Sequence, residues 1–550
     1  MTSNRTGGRI LVDQLVAQGC DRIFCVPGES YLAVLDALHD SPEIDLVVCR
    51  QEGGAAYMAE ADGKLTGKPG ICFVTRGPGA TNASIGVHTA MQDSTPMILF
   101  IGDVAREAKD REGFQEVDFP AMFAPLAKWA AKIDDARRIP EYVARAYAVA
   151  MSGRPGPVVL ALPEDMLIDK VEAIDRPAVK RPVQPPCVQG AGILVDLIRN
   201  AAAPLAIVGG ADWDDRAAHY FAEFAEGIGL PVATAFRRQD AIASSSPVYA
   251  GNLGYGPNPK LIERVKAADL LIVVGPRLGE ATTDGYTLIT PEHPDQILVH
   301  VHPDPNELQS VYRTDFALCA DMPEFAETLA DWDHDILSFK DGAEAHAEWL
   351  EWNTPKPREG VALDLGLCVA AMREAMPRDT IVCNGAGNYS SWWHRYWRYG
   401  KRGTQLAPTN GSMGYGVPAG VAAALRRPEQ RVVALAGDGC FLMNGQELAT
   451  AVAQGARLLV IVVDNGNYGT IRMHQEREYP GRVSGTRLGN PDFAALARAY
   501  GGWAEAVERT EDFAPALARA LEQPGLALLH LRTDIEQITP AATLSGMNRR

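Results

Sequence analysis

Short apolar runs alternate with segments of helical period along the whole chain, the pattern of strands covered on both faces by crossover helices. Near the start, residues 44–49 read as a buried strand, 53–65 as the helix behind it, and 71–75 and 97–101 as further strands. A stretch rich in proline and charge, 171–186, reads as a linker. A helix over 193–200 and strands over 205–208, 270–274 and 297–301 come next, then a polar, tryptophan-bearing helical stretch after Asp321. Thr354-Pro355-Lys356-Pro357 marks a second boundary, and beyond it strands are predicted at 380–383, 431–436, 458–463 and 526–531, with a helix over 441–454. The pattern predicts an α/β protein of three doubly wound parallel-sheet domains, at residues 1–170, 188–335 and 358–550. No short internal repeat is visible.

Composition narrows the function classes. Of 550 residues, 52 are Lys or Arg and 69 Asp or Glu, and the net charge of −17 argues against a nucleic-acid or acidic-membrane partner. The nine cysteines are scattered with no CxxC pair, which is neither a zinc framework nor a disulfide scaffold and predicts a cytoplasmic setting. Residues 1–8 are polar, and no apolar run approaches the roughly 18 residues of a membrane span.

The sharpest chemical signal lies late in the chain. The strand at 431–436 runs into Gly437-Asp438-Gly439, and the strand at 458–463 into Asp464-Asn465-Gly466-Asn467-Tyr468-Gly469. Both clusters therefore fall at carboxyl ends of parallel strands, where open α/β sheets bind ligands. Glycines around Asp438 let backbone N–H groups approach an anion at a helix start. Asp438, the Asn465 amide oxygen and a backbone carbonyl near Asn467 make a hard oxygen set suited to Mg²⁺ on a diphosphate. Gly-Asp-Gly alone is a common turn; its spacing from the second cluster gives the signal its weight.

This pair of clusters resembles the signature of thiamin-diphosphate-dependent enzymes. Asn410-Gly411-Ser412-Met413-Gly414 is similar to the family's segment between the two cofactor rings, which implies that Met413 supports the bent cofactor; taken alone, Met413 would read as core. Gly385-Ala386-Gly387-Asn388-Tyr389 resembles the first diphosphate loop, with Asn-Tyr where Gln-His is usual. Early in the chain, Arg50-Gln51-Glu52-Gly53-Gly54-Ala55-Ala56 resembles the context of the family's catalytic glutamate. That implies a Glu52 hydrogen bond to the cofactor's pyrimidine nitrogen; the competing reading is that Glu52 caps its helix or pairs with Arg50. The resemblance further implies cofactor contacts from Pro27, Gly28, Gly411, Gly437, Gly439, Cys440, Tyr468 and Gly469, a substrate-side role for Gln115, and domains that bind pyrimidine, link, and bind diphosphate.

The order of domains and the segments 77–82, 114–118, 152–158 and 490–493 look most like acetolactate synthase catalytic subunits. The implied activity is decarboxylation of a 2-oxo acid with transfer of the acyl unit to a second carbonyl compound, in the cytoplasm. The alternatives are an aldehyde lyase or carboligase acting on 2-hydroxy ketones, and a 2-oxo acid or acyl-CoA decarboxylase. Thiamin diphosphate and Mg²⁺ are the implied cofactors, in a homodimer or dimer of dimers with shared sites. A non-catalytic relative would not need this set of residues, and no Gly-x-Gly-x-x-Gly fingerprint supports a dehydrogenase. Three departures stand out. Arg76 replaces a serine and would pair with a substrate carboxylate or with an acid. His474 replaces a tryptophan and would serve the substrate or simply lie on a helix surface. Arg277-Leu278-Gly279-Glu280 keeps one of two arginines of the FAD segment, so FAD, even with Arg154 available, is not favoured.

Overall fold

A computed structural model describes residues 4–210, 212–332 and 338–549. Parts of the polar N-terminus, of the stretch after Asp321 and of the C-terminal tail lie outside the described residues. Three six-stranded sheets, each parallel throughout, account for the three domains. The first has the spatial order Asp45–Val48, Arg22–Cys25, Gly70–Val74, Met97–Asp103, Pro157–Pro163 and Trp129–Lys132. The last runs Gln405–Leu406, Ile381–Asn384, Val432–Gly437, Leu459–Asp464, Ala527–Arg532 and Trp503–Val507. Ranked by chain position, both have the order 2-1-3-4-6-5. The middle sheet runs Tyr249–Asn252, Val232–Thr234, Pro204–Val208, Leu270–Val274, Ile297–His302 and Phe316–Cys319, the order 3-2-1-4-5-6 of dinucleotide-binding folds.

By packing, the described chain forms two compact units. One holds the residues up to Pro182 with Val417–Pro428 and Asn444–Ala456; the other holds Val183–Gly416, Glu429–Met443 and the residues from Arg457 on. In the first unit the strands Gly70–Val74, Met97–Asp103 and Pro157–Pro163 are buried along their whole length, as apolar strands between helical layers must be. The strand expected at 44–49 is Asp45–Val48, and it is not buried: it is the sheet edge, with Asp45 and Val48 exposed. A short antiparallel pair, Asn4–Thr6 with Lys170–Glu172, closes the unit and takes the first residues of the expected linker. The next residues of that linker are tied down as well: Gln14 and Gln18 hold the backbone of Arg176, Pro177 and Val179 at 2.8–3.0 Å.

The helices Glu52–Thr66 and Gly77–Asp93 lie together because small residues let them. A Cβ on Gly86 would fall onto Ala56, and one on Gly70 onto the Ala59 carbonyl. The single helix expected over 441–454 is instead broken into Asp438–Asn444, a 3₁₀ turn at Gly445–Glu447, and Leu448–Ala453. Asn444 leaves helical geometry at φ −141°, and the Glu447 carboxylate is spent on the Arg50 and Gln51 N–H groups and Thr450 rather than on solvent.

In the second unit the middle sheet is anchored to the last through Asp240, whose carboxylate accepts from the N–H groups of Gly403, Thr404 and Gln405 at 2.8, 3.1 and 3.2 Å. Among the described residues no helix is long and apolar enough to cross a membrane. Gly70→Ala should push the Glu52 helix off its sheet and destabilise the protein by about 1–3 kcal/mol. A denaturant midpoint equal to wild type would show that the helix can withdraw without cost.

Candidate active site

In the first unit three strand ends converge. The loop after Arg22–Cys25 brings Pro27 and Gly28 against Thr75, which comes directly after Gly70–Val74; a Cβ on Gly28 would collide with the Thr75 side chain. Ser30 Oγ and Thr75 Oγ1, 2.8 Å apart, lock the two loops together. The turn after Asp45–Val48 presents Glu52 as the first residue of its helix. Gln51, not Glu52, caps that helix, accepting from Gly54 N at 2.9 Å. Glu52 is half-buried and accepts from Asn82 Nδ2 at 2.9 Å through Oε2.

Glu447, fully buried, sets this turn. Its carboxylate takes Arg50 N–H at 3.1 and 3.2 Å and Gln51 N–H at 3.0 Å. Burial pushes its carboxyl up, against the pull of the hydrogen bonds from Thr450, Arg50 and Gln51. A Cβ on Gly54 would sit 2.6 Å from Glu447 Oε1, so a glycine is required there. Gln115 meets the same region through its backbone: it lies at φ +65° and its carbonyl accepts Gly77 N–H at 3.0 Å, at the start of the helix bearing Asn82. Arg76 is buried beside this helix start and pairs with Glu164, with Glu29 at 3.8 Å, so its charge is met by acids of its own unit.

In the second unit a cavity of about 240 Å³ opens at the carboxyl ends of the last sheet. Gly387, Asn388, Tyr389, Gly411, Met413, Gly437, Asp438, Gly439, Cys440, Asn465, Asn467, Tyr468 and Gly469 all line it, so the structure gathers every residue expected there from the later motifs except His474. Glycines make the approach possible: a Cβ on Gly437 would lie 2.9 Å from the Tyr389 ring, and one on Gly385 2.7 Å from Cys440 Sγ. Met413 is partly exposed into this space, although it also packs on the core behind it. Cys440 is a structural thiol; Gly414 N–H reaches its Sγ at 3.1 Å, and burial raises its pKa. Tyr389 is likewise committed, its hydroxyl accepting Gly385 N–H at 3.0 Å. Asn388 ties the loop across the cavity, to Thr470 Oγ1 at 2.9 Å.

The electrostatic centre is a pair of carboxylates. Asp438 and Asp464 end neighbouring parallel strands, and Asn490 Nδ2 donates to Asp438 Oδ2 and Asp464 Oδ1, both at 2.8 Å. Burial, then the charge of Asp464, pushes the Asp438 carboxyl up, although Gly439 N–H and Asn490 pull the other way. Burial acts on Asp464 too, but the bonds from His530, Asn490 and Gly466 N–H hold it below the usual range. His530 Nε2 lies 2.9 Å from Asp464 Oδ2. Asn465 Oδ1 accepts Asn467 N–H at 3.0 Å, which leaves one lone pair of that oxygen for a cation. Among the described residues no three His, Cys, Asp or Glu side chains converge as metal ligands, so any cation here relies on one carboxylate, amide and backbone oxygens.

His474 is the residue that the structure does not bring to the cavity. On the helix Gly469–Glu478 it is Thr470 and Ile471 that face the cavity, and His474 Nδ1 lies 2.9 Å from Arg477 Nη2. In the middle domain Arg277 pairs with Glu307 at 3.0 Å, and Arg154, in the other unit, donates to Ser94 Oγ at 2.9 Å. Sequence reasoning missed Glu447, Asn490, His530, Asn82 and the apolar wall from Ile538. Asn490 and Asn82 carried a signal, in the segments 490–493 and 77–82. Asn490→Ala removes both bonds to the carboxylate pair and should cost about 1.5–3 kcal/mol. The expected result is a lowered denaturant midpoint in metal-free buffer; wild-type stability would show that Asn490 does not hold the pair.

Comparison with known proteins agrees with this geometry. Residues 5–122 match the model of the thiamine pyrophosphate enzyme N-terminal TPP binding domain, 193–329 the central domain, and 385–531 the C-terminal TPP binding domain. The chain is 32% identical over 540 residues to an acetolactate synthase large subunit of Parasynechococcus marenigrum, covering 94% of this chain and 86% of that one. It is 30% identical to the acetolactate synthase isozyme 2 large subunit of Escherichia coli, over 98% of both chains, and to the large subunit of Corynebacterium glutamicum, over 94% and 85%. With both carboxylate-bearing strand ends, the glycine-lined cavity and the Glu52 turn in place, this chain belongs to the thiamine pyrophosphate enzymes, among relatives that are acetolactate synthases.

Proposed function

We propose that the protein decarboxylates a 2-oxo acid and transfers the acyl unit to a second carbonyl compound, in the manner of acetolactate synthase. The observation that carries the reading is the Asp438–Asp464 pair, with Asp438 buried on the wall of a glycine-lined cavity and Asp464 half-buried beside it. Two neighbouring carboxylates in a partly desolvated site are costly without a cation, and the oxygen donors beside them are those a hard divalent ion takes. The buried Asn490 Oδ1, which has no hydrogen-bond partner among the described residues, adds a further acceptor. The residues therefore fit Mg²⁺ with thiamin diphosphate.

Asp438, Asn465 and the Asn467 carbonyl would hold the cation. Gly387, Gly437 and Gly469 bring the backbone up to the diphosphate, and Asn388 and Gly439, whose N–H groups donate to Thr470 Oγ1 at 3.0 Å and Asp438 Oδ1 at 2.9 Å, line its pocket. Tyr389, Cys440 and Tyr468 shape the loops around it, Met413 and Gly411 support the rings, and Pro27 and Gly28 line the approach. When bound, the cofactor supplies an electron sink for carbon–carbon bond cleavage. The chain supplies position and protons: Asn82 fixes Glu52 Oε2, leaving Oε1 to hold a proton toward the pyrimidine nitrogen. Gln115 serves the substrate side as a hydrogen-bond donor.

We place the domain boundaries at 1–170, 188–335 and 358–550 and take the functional form as a homodimer or dimer of dimers, with Glu52 of one subunit serving the diphosphate site of another. Exposed Ile85, packed beside Gly53 near Glu52, supports a covered surface there. The occupied side chains of Arg277 and Arg154 support function without FAD.

Glu52→Gln should lower kcat by roughly 10²–10⁴ while thiamin diphosphate still binds. Turnover near wild type would remove Glu52 from the proton chemistry. With pyruvate, thiamin diphosphate and Mg²⁺, purified protein should release CO₂ and acetolactate in equal amounts. CO₂ with acetaldehyde instead would make the protein a simple decarboxylase, and no pyruvate turnover would exclude pyruvate as the donor.

A further inference from the structure

A second cavity, of about 520 Å³, lies at the other end of the last sheet from the cofactor residues. Pro377, Arg378 and Gly400 on its wall flank the start of the strand Ile381–Asn384, whereas the diphosphate loop begins where that strand ends. Arg373, Arg378 and Arg398 line it. Neighbouring cations find acids, Lys401 with Asp379 and Arg402 with Asp240, but none of these three arginines makes an ion pair among the described residues. Arg373 Nη1 and Arg398 Nε both donate to one neutral oxygen, Asn353 Oδ1, at 3.2 and 2.6 Å.

A structural role accounts for only part of this. Arg373 also donates to the Tyr396 carbonyl at 3.1 Å, a favourable end for the helix Ser390–Tyr396. Arg398 also lies over the Trp349 ring at 5.4 Å, but these contacts and the Asn353 bonds are all to neutral groups and leave three guanidinium charges together in a chain of net charge −17. The only carboxylate on the cavity wall, Glu374, is exposed and makes no ion pair among the described residues. Burial, then the charge of Arg398, pushes the Arg373 guanidinium down to about 10 against the opposing charge of Glu374, and burial with Arg378 lowers Arg398 in turn. Trp397, 3% exposed and on the same wall, keeps a buried indole N–H with no acceptor among the described residues. Unneutralised guanidinium forks beside an unused N–H donor are a built receptor for an oxyanion of two or more charges.

We infer that this cavity binds a small phosphate-bearing anion, either free phosphate or the phosphate group of a nucleotide or phosphorylated metabolite, through Arg373, Arg378 and Arg398. The site is separate from the catalytic cavity, although the helix Leu365–Ala375 reaches both, with Leu365 on the first and Arg373 on the second, and Trp397 on the second follows directly on the helix Ser390–Tyr396, whose Trp392 lines the first.

The test is equilibrium dialysis of full-length protein saturated with thiamin diphosphate and Mg²⁺, against radiolabelled inorganic phosphate and, separately, ADP, with sodium chloride setting ionic strength. Saturable binding at millimolar concentration or below is expected. It should weaken roughly tenfold or more in Arg398→Gln and in Arg378→Gln. Arg378 is exposed and its side chain makes no hydrogen bond among the described residues, so the second variant tests the site should the first misfold. Phosphate bound as tightly as ADP assigns the site to the free ion, and tighter ADP assigns it to an organic phosphate. Saturable binding of neither, or affinities unchanged in both variants, overturns the proposal.

Discussion

Two carboxylates that cannot move apart govern the cavity end of the last sheet. In a parallel sheet every strand ends on the same edge, so the residues just past neighbouring strands are forced together. Gly437 pairs with Val463, which puts Asp438 and Asp464 side by side with no freedom to separate. Their repulsion grows with burial, and the fold answers it with hydrogen bonds from the Asn490 amide and the His530 imidazole rather than with an arginine or lysine. A neutral bridge matters chemically. An arginine in place of Asn490 would cancel one charge of the pair and weaken the attraction for a divalent cation, whereas an amide orders the carboxylates and leaves their charge available.

The Glu52 turn obeys the same logic with the roles distributed differently. Glu447 spends its carboxylate on the backbone ahead of Glu52, and Asn82 takes one oxygen of Glu52 itself. One buried acid is thereby consumed in fixing the position of another. The cost is met by strict packing: Gly54 gives Glu447 its room, and Gly86 and Gly70 allow the two helices and the sheet to close. In both places positional precision comes from acceptors saturated by N–H donors, and reactivity from the oxygens left over.

This division explains which features are legible in the sequence. Strands buried on both faces announce themselves as apolar runs, and polar residues at their carboxyl ends stand out against them, so Asp438, Asn465 and Glu52 were legible. Glu447 was not, because its partners lie 397 and 396 residues away and nothing local distinguishes it from a surface glutamate. His530 was hidden within a strand taken as apolar. The break at Asn444 had a local sign in the dipeptide Asn444-Gly445, which the helical periodicity of 441–454 outweighed. The edge position of Asp45–Val48 depends on strand order, which an apolar run does not encode. His474 shows the converse limit, since a motif position fixes the residue's place on a helix but not the face that meets the cavity.

The first and last sheets share their order, and with it the place where a ligand crevice forms. In an order 2-1-3-4-6-5 the direction of winding reverses between ranks 1 and 3, and crevices form there. In the first sheet that point lies between Arg22–Cys25 and Gly70–Val74, where Gly28 meets Thr75; in the last it lies between Ile381–Asn384 and Val432–Gly437, where Gly437 meets Tyr389. Each binding region thus uses the crevice its topology provides, with a glycine at the closest approach. The middle sheet reverses between Pro204–Val208 and Leu270–Val274, and there Gly210 abuts the Gly275 carbonyl and Pro276. Its chemistry is directed outward instead. Arg237, buried and at φ +56°, donates to the Gly385 carbonyl at 3.1 Å and to that of Pro408. A guanidinium holding two carbonyls constrains the loop that starts at Gly385 and the segment that leads to Met413. The middle domain therefore acts as a clamp on two segments that lead into the cavity of the last sheet.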